Sequence, residues 1–340
     1  MNKNVLLTGG TGYIGSHTAA ELATNDYDVI LFDNLENSSA DVIDSIELIS
    51  GRKCKFVQGD VRDIKLLAKT LKEHEIGSVI HFAGLKAVAD SIENPLSYYS
   101  TNVLGTLSLL EAMAQEHVFR LVFSSSATVY GTPAYLPIDE AHPTGPVNPY
   151  GRSKLHVEEI LQDVASSSSD WSIISLRYFN PVGAHESGLL GEQPTSRPNN
   201  LMPVISEVAL GLREKLNVFG TDYDTRDGSG VRDFIHVMDL AEGHRMAMQF
   251  IQENQGHQIF NLGTGVGYSV LEMVEAYKAA SGKAIPLELT GRRPGDVAAC
   301  YAEPSKASEL LRWQAKRSLR DMCGSSWSFY QRSSNWRKKS

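Results

Sequence analysis

Short apolar runs alternate with amphipathic stretches along the first half of the chain. NVLLTGG, DVILFDN, KFVQGDV, SVIHFAG and RLVFSSS each hold consecutive apolar or β-branched positions bounded by Gly, Asp, Asn or Ser, the pattern of strands covered on both faces. SHTAAELATN, between the first two, predicts a helix, and helical stretches separate the later runs as well. This rhythm predicts an α/β chain with a doubly wound, Rossmann-type parallel sheet. WSIISLRYFNPVG adds another buried strand closed by a turn. The spacing then loosens through GAHESGLLGEQPTSRPNNLMP and turns mixed, until HQIFNLGTG restores a strand followed by glycines. A cofactor domain over residues 1–180, with a returning segment at about 234–263, and a smaller mixed α/β substrate domain over 181–340 follow from that change. There is no internal repeat. The run Ser166–Ser169 reads as a solvated connection, and RSSNWRKKS as a frayed terminus.

Composition narrows the class of protein. With 340 residues, 42% of them hydrophobic and 21% charged, the chain can bury a large core and does not read as disordered. The formal net charge of −8 argues against a general nucleic-acid or anionic-membrane binder, so any phosphate is held by a local pocket. Cys54, Cys300 and Cys323 are odd in number and far apart, which indicates neither a disulfide framework nor a metal site. MNKNVLLTGG enters a strand directly, with no signal-peptide apolar region, and no stretch reaches membrane-spanning length. The expectation is a cytoplasmic protein.

The first chemistry lies in TGGTGYIGSH. Gly9, Gly12 and Gly15 follow a predicted strand and open a predicted helix, where they permit a tight turn, close backbone approach to phosphate and close helix packing. The second strand ends at Asp33, a carboxylate placed to accept hydrogen bonds from an adenosine ribose and to repel a 2′-phosphate, which favours NAD over NADP. Asp60, after KFVQG, is either a surface residue or a neighbour of the adenine edge.

The second lies in NPYGRSK. Tyr150 and Lys154 stand four positions apart, on one face if a helix begins here, so the ammonium can favour the phenolate. A phenol of pKa about 10 is otherwise protonated near neutrality and a poor base. A tyrosine–lysine pair at this spacing is also a common surface pair, and the glycine loop upstream is what gives it a catalytic reading.

TGGTGYIG, FSSSATVYG and PYGRSK, in this order and separation, resemble the extended short-chain dehydrogenase/reductase family. DNLENSS, HFAGLKAV, RYFNPVGAH, PNNLMP, GVRDFIHVMDLA and NLGTG narrow the resemblance to its UDP-hexose 4-epimerase branch, over residues 3 to 330 or so. The resemblance implies an enzyme with tightly held NAD that interconverts UDP-galactose and UDP-glucose through a 4-keto intermediate. Hydride leaves C4, the sugar swings about its phosphate link, and hydride returns to the opposite face without net redox change. It also implies a homodimer.

Carried onto this sequence, the resemblance makes Tyr150 the acid/base, Lys154 the residue that binds the nicotinamide ribose and tunes the tyrosine, and Ser126 the partner of the reacting hydroxyl. General acid–base chemistry agrees, since oxidising a carbinol requires a base within reach of its hydroxyl proton. Around NAD the resemblance places Tyr13, Ile14, Asp33, Asn34, Leu35, Asn37, Ser38, Asp60, Val61, Phe82, Ala83, Gly84, Lys86, Ser124 and Phe179. Asn102 matches the family's structural asparagine, while Thr101 stands where an asparagine often touches NAD. For the UDP-sugar it implies Lys86, Asn180, Asn200, Leu201, Asn217, Val218, Phe219, Arg232, Arg293, Asp296 and Cys300. Arginines can neutralise a pyrophosphate, and asparagine can read uracil and hydroxyls.

Cys300 falls where some relatives carry tyrosine and others a smaller residue. A small side chain leaves room beside the sugar C2 substituent and implies activity on UDP-GlcNAc and UDP-GalNAc as well; the alternative is that Tyr301 fills the space. A 4,6-dehydratase of the same family needs an acid pair beside the strand-end serine, where SSSATVYG offers Ala127 and Thr128. A non-catalytic NAD-sensing regulator on this fold typically lacks the Tyr–Lys pair.

Overall fold

The computed structural model of the chain describes residues 2–194, 198, 200–293 and 295–337. Parts of the loosened GEQPTSRPNN segment, Pro294 of GRRPGD and the last three residues of the basic tail lie outside them. The strands are β1 (Asn4–Thr8), β2 (Asp28–Asp33), β3 (Lys55–Gln58), β4 (Ser78–His81), β5 (Arg120–Ser126), β6 (Ser172–Tyr178), β7 (Asn180–Val182), β8 (Leu216–Phe219), β9 (Val231–His236), β10 (Gly256–Leu262), β11 (Gly267–Ser269), β12 (Leu287–Thr290) and β13 (Ala299–Cys300). The helices are α1 (Tyr13–Thr24), α2 (Val42–Ser50), α3 (Ile64–Glu73), α4 (Val88–Glu93), α5 (Pro95–Tyr98), α6 (Gly105–Gln115), α7 (Pro149–Ser167), α8 (Leu201–Ala209), α9 (Val237–Phe250), α10 (Val270–Ser281), α11 (Ser305–Leu310) and α12 (Leu319–Arg337).

The expected doubly wound sheet is present. Seven parallel strands run in the order β10-β6-β5-β4-β1-β2-β3, so the direction of winding reverses between β1 and β4. A crevice opens at the carboxyl ends of the strands at such a reversal. The strands read as unbroken apolar runs because both faces are covered: Val5, Leu7, Val29 and Leu31 pack into one core, while Leu6, Ile30 and Phe32 pack into another. α9 and β10 return to the large sheet after an excursion, burying Leu240, Met248, Phe260 and Leu262 in the first core.

Much of the rest of the second half builds a separate core from Met202, Ile205, Val218, Phe234, Met273, Tyr277 and Trp327, while Ala307 of α11, Leu311 and Trp313 pack into the first core. Its sheets are small: β11, β9 and β13 with β7 on β9, and the pair β12–β8. β7 follows β6 almost directly, which brings this region to the carboxyl end of the large sheet.

Two sequence expectations are corrected. Ser166 and Ser167 finish α7 rather than forming a connection, with the Ser166 hydroxyl donating to the Gln162 carbonyl at 2.8 Å. The basic tail does not fray from Arg332: α12 continues to Arg337, anchored earlier by buried Met322, Cys323 and Trp327. Burial of its first turns extends the helix past its polar end. Among the described residues no helix is long and apolar enough to cross a membrane.

Candidate active site

The glycine loop joins β1 to α1 at the sheet reversal. Gly9 has φ +67°, and a Cβ there would lie 2.6 Å from the Ala83 nitrogen, so the turn admits no side chain. A Cβ on Gly15 would lie 2.3 Å from the Gly9 carbonyl oxygen, which closes the loop onto the helix. A Cβ on Gly12 would meet only that same oxygen at 3.3 Å, leaving its other side open for approach. α1 has no side-chain cap at Gly12, so the first-turn N–H groups beside Tyr13 and Ile14 stay available to an anion.

Asp33, at the end of β2, is buried and pre-set. Its carboxylate accepts from the Thr11 N–H (3.2 Å), the Leu35 N–H (2.9 Å) and the Ser38 hydroxyl (3.0 Å). Leu35 sits at φ +63°, while Asn34 and Asn37 are exposed beside it. An open glycine, an uncapped helix end and a fixed carboxylate at the next strand fit a dinucleotide with a free ribose 2′-hydroxyl. On the flanks, the Asp60 carboxylate is held by Arg62, which keeps its pKa low, and Val61 is buried against Gly105.

The opposite wall is made by β4, β5 and α7. Phe82, Ala83 and Gly84 follow β4, and a Cβ on Gly84 would stand 2.9 Å from Asn102 Oδ1 and 3.8 Å from Lys154 Nζ. Asn102 accepts from the Leu85 N–H at 2.8 Å and donates to the Leu85 carbonyl (3.1 Å) and the Ser153 hydroxyl (2.9 Å). It clips the loop after β4 to α7, a structural duty. Neighbouring Thr101 lies half-buried in a π-helical turn, Tyr99–Leu104.

α7 begins where its sequence dictates. Asn148 caps it, accepting from the Gly151 N–H at 2.8 Å, and Pro149 takes the first helical position. A Cβ on Gly151 would stand 2.9 Å from the Thr128 carbonyl, so glycine lets the helix start against the turn after β5. That brings Tyr150 near Ser126, the side chain that tempers the rise of its pKa. Lys154, 5% exposed, donates to the Ser124 carbonyl at 2.7 Å and lies 4.8 Å from the Phe123 ring centre.

The electrostatics differ from the expectation. Burial raises the Tyr150 pKa, and Ser126 opposes the rise. The Lys154 ammonium is aimed at the Ser124 carbonyl, and its own desolvation pushes its pKa down to about 8. The protein alone therefore holds Tyr150 as a protonated phenol.

The second half contributes more exposed groups. Asn180 projects from β7, and Asn217 and Phe219 from β8; Val218 between them is 1% exposed, its side chain packed in the core of the second half and its main chain covered in the β8–β12 pair. Phe179, which precedes β7, is 6% exposed. Arg293 and Asp296 pair at 3.1 Å, with the guanidinium 5.4 Å from the Phe219 ring centre. Arg232 donates to the Val231 carbonyl at 2.8 Å. Asn200 precedes α8, with Leu201 as its first residue. Cys300 packs with the Ala127, Tyr130 and Phe179 cluster, whereas the Tyr301 ring sits against Gly267 on β11.

Sequence reasoning missed Glu192. Its buried carboxylate accepts from Lys86 Nζ at 3.0 Å and Asn200 Nδ2 at 2.8 Å, joining two expected ligand contacts from different halves. It stands in a Gly- and Pro-rich stretch without periodicity, and no spacing could have singled it out.

A seven-stranded Rossmann sheet with a serine, tyrosine and lysine converging at its carboxyl edge is the layout of the extended short-chain dehydrogenases/reductases. The profile of the family described as GDP-mannose 4,6 dehydratase matches residues 6–325. The UDP-glucose 4-epimerase of Bacillus subtilis (strain 168) is 52% identical over 323 residues, 95% of each chain. Two solved UDP-glucose 4-epimerases superpose over 98% of this chain and 99% of their own. One, from Bifidobacterium longum in complex with NAD+ and UDP, is 51% identical with TM-score 0.95. The other, from Stenotrophomonas maltophila with bound NAD and formylated UDP-arabinopyranose, is 46% identical with TM-score 0.96. The chain belongs to the UDP-glucose 4-epimerase family, isomerases within the extended short-chain dehydrogenase/reductase class.

Proposed function

We propose that the protein holds NAD as a resident cofactor and interconverts UDP-galactose and UDP-glucose at C4 through a 4-keto intermediate. The observation that carries this reading is the convergence of Tyr150, Ser126 and Lys154 beside the loop after β4, with the glycine turn and Asp33 on the other wall of the crevice. NAD, when bound, supplies a reversible oxidant for the carbinol and a positive charge beside Tyr150. Tyr150 takes the O4 proton and later returns it, while Ser126 holds the reacting oxygen. Lys154 binds the nicotinamide ribose. Arg232 and Arg293 hold the pyrophosphate, which leaves the hexose free to present either face.

The turn after β5 supports epimerisation over dehydration. Ser126 is followed by Ala127 and by Thr128, whose N–H and hydroxyl both bond the Ser126 oxygen, so no acid pair stands beside it. Tyr150→Phe should lower kcat about a thousand-fold while NAD absorbance and thermal stability stay unchanged. Turnover near that of the parent protein would remove Tyr150 from the chemistry. NAD retained by the parent without UDP-sugar turnover would favour a regulator.

The same reading extends to UDP-GalNAc and UDP-GlcNAc. Cys300 is small, and Tyr301 is committed to the β11 side, which supports space near the C2 substituent. A pocket of this kind discriminates by about 1–3 kcal/mol per small group, so Cys300→Tyr should suppress the N-acetylated substrates selectively. Absence of UDP-GalNAc conversion by the parent protein ends this extension.

A homodimer accords with an apolar face on α4, α5, the π-helical turn and α6, where Ile92, Leu96, Leu104 and Leu107 are 59, 82, 49 and 43% exposed. Sedimentation at micromolar concentration giving a single-chain mass would exclude it.

A further inference from the structure

Three consecutive residues of β5 face three successive turns of α7. The Ser124 carbonyl accepts from Lys154, the Ser125 hydroxyl donates to Glu158 Oε1 at 2.5 Å, and Ser126 lies beside Tyr150 and tempers the rise of its pKa. The outer two ties hold groups with a proposed part in the chemistry. The middle tie lies beneath them, with Ser125 1% and Glu158 3% exposed.

Glu158 is also gripped from β6. Arg177 donates through Nε to both carboxylate oxygens at 3.0 and 3.2 Å, and through Nη2 to Oε2 at 2.5 Å. Its guanidinium lies 4.7 Å from the Tyr130 ring centre, and the Tyr130 hydroxyl donates to Asn261 Oδ1 on β10 at 2.7 Å. Desolvating a carboxylate and a guanidinium is costly, and a packed apolar pair commonly stabilises a core as well or better. The arrangement must therefore gain something besides stability.

We infer that Glu158 is a positioning residue: it fixes the register of α7 on β5 and keeps a negative charge one helical turn from Lys154, so that Lys154 stays an ammonium in the site. The inference rests on the reading of Tyr150, Ser126 and Lys154 given above. Burial drives the Lys154 pKa down, and the Glu158 charge opposes that fall. The other titratable groups near Lys154 are neutral: His81 on β4 is pushed down to about 3, and the Tyr150 and Tyr178 phenols are raised by burial. Facing Glu158 are Arg177 on β6 and His257 on β10, the latter neutral with its pKa pushed down to about 4.

Glu158→Gln removes the charge but strands Arg177, so the companion variant is Glu158→Gln with Arg177→Met, which removes both charges. In either folded variant kcat for UDP-galactose should fall about ten-fold with KM within roughly two-fold. Lys154 then surrenders its proton at lower pH, and the ratio of the rate at about pH 9 to that at about pH 7 should drop roughly three-fold. Glu158→Asp keeps the charge and Ser125→Ala keeps both charges; in each kcat should fall only about two- to five-fold, with the alkaline limb unmoved. A folded double variant with the parent's rate and alkaline limb overturns the inference. So does a shifted limb in the aspartate or Ser125→Ala variant. Tyr150→Phe in the same assay separates the two ideas: normal turnover there defeats the reacting set itself, whereas an inactive Tyr150→Phe beside unaffected Glu158 variants defeats this inference alone.

Discussion

Around the large sheet, Asp33, Asn102 and Lys154 are each at least nine-tenths buried, and the side chain of each is tied to main chain. In the second half, Asn180, Asn217, Phe219 and Arg293 are exposed, and Arg293 is held by its pairing with Asp296. Exposed pairs of that kind contribute about 0–1 kcal/mol and rearrange readily. The contrast fits a division of labour: the cofactor wall is assembled by folding, whereas the sugar-nucleotide wall is completed by its ligand. A hexose that must present both faces in one site needs that second kind of wall.

The largest effect should come from the cofactor wall, where activity and stability oppose each other. The folded chain releases the Lys154 proton near about pH 8, whereas an unfolded lysine holds its proton to about 10.4. Below that window both states carry the proton and burial of the ammonium costs stability; as pH rises through it, the folded state sheds the charge first and recovers stability. Lys154→Met should therefore lower kcat about a thousand-fold yet stabilise the ligand-free protein at neutral pH, by about 2 kcal/mol after loss of the Ser124 hydrogen bond. Thermal melts at neutral pH check the sign, and a lower melting temperature would contradict a costly buried charge.

The second wall should respond in the opposite manner. Arg293→Ala should raise KM for UDP-galactose about ten-fold, with the melting temperature almost unchanged, because the pair is formed by a half-exposed guanidinium and contributes little to stability. A loss of stability comparable to that of a core substitution would show that this wall, too, is built by folding.

How far the sequence revealed this depends on the wall. β1, β2, β4, β5 and β6 were legible because both faces of the sheet are covered, leaving apolar runs with sharp polar boundaries. The places of Gly9, Gly12, Gly15 and Asp33 in the fold were legible because a strand precedes the glycines, a helix follows them and Asp33 ends the next strand. β7, β8 and β11 to β13 are two to four residues long, too short for a period to show. The tail was misread because α12 is polar at its end and apolar only where Met322, Cys323 and Trp327 meet the second core. The Tyr–Lys spacing was read correctly as one helical face, yet its electrostatics were not, because the direction of the Lys154 ammonium depends on a carbonyl from β5. Main-chain acceptors leave no mark in a side-chain pattern.

Glu192 tests the comparison where the walls meet. Lys86 and Tyr13 belong to the first wall, and Asn200 to the second; Glu192 accepts from Lys86 and Asn200 and, after burial, is the next cause of the raised Tyr13 pKa. Its main-chain carbonyl accepts from the Tyr330 hydroxyl at 2.7 Å, so α12 holds the segment in place independently of the carboxylate. Lys86 is 61% exposed, which makes the ion pair itself a minor contributor to stability. Glu192→Gln keeps an acceptor oxygen for Asn200 while freeing Lys86, and should change KM for UDP-galactose only about two- to three-fold, with kcat and melting temperature almost unchanged. Steady-state kinetics decide the matter: a fall in kcat at constant KM would place this carboxylate in the reaction itself, and the two walls could then no longer be treated as separately built.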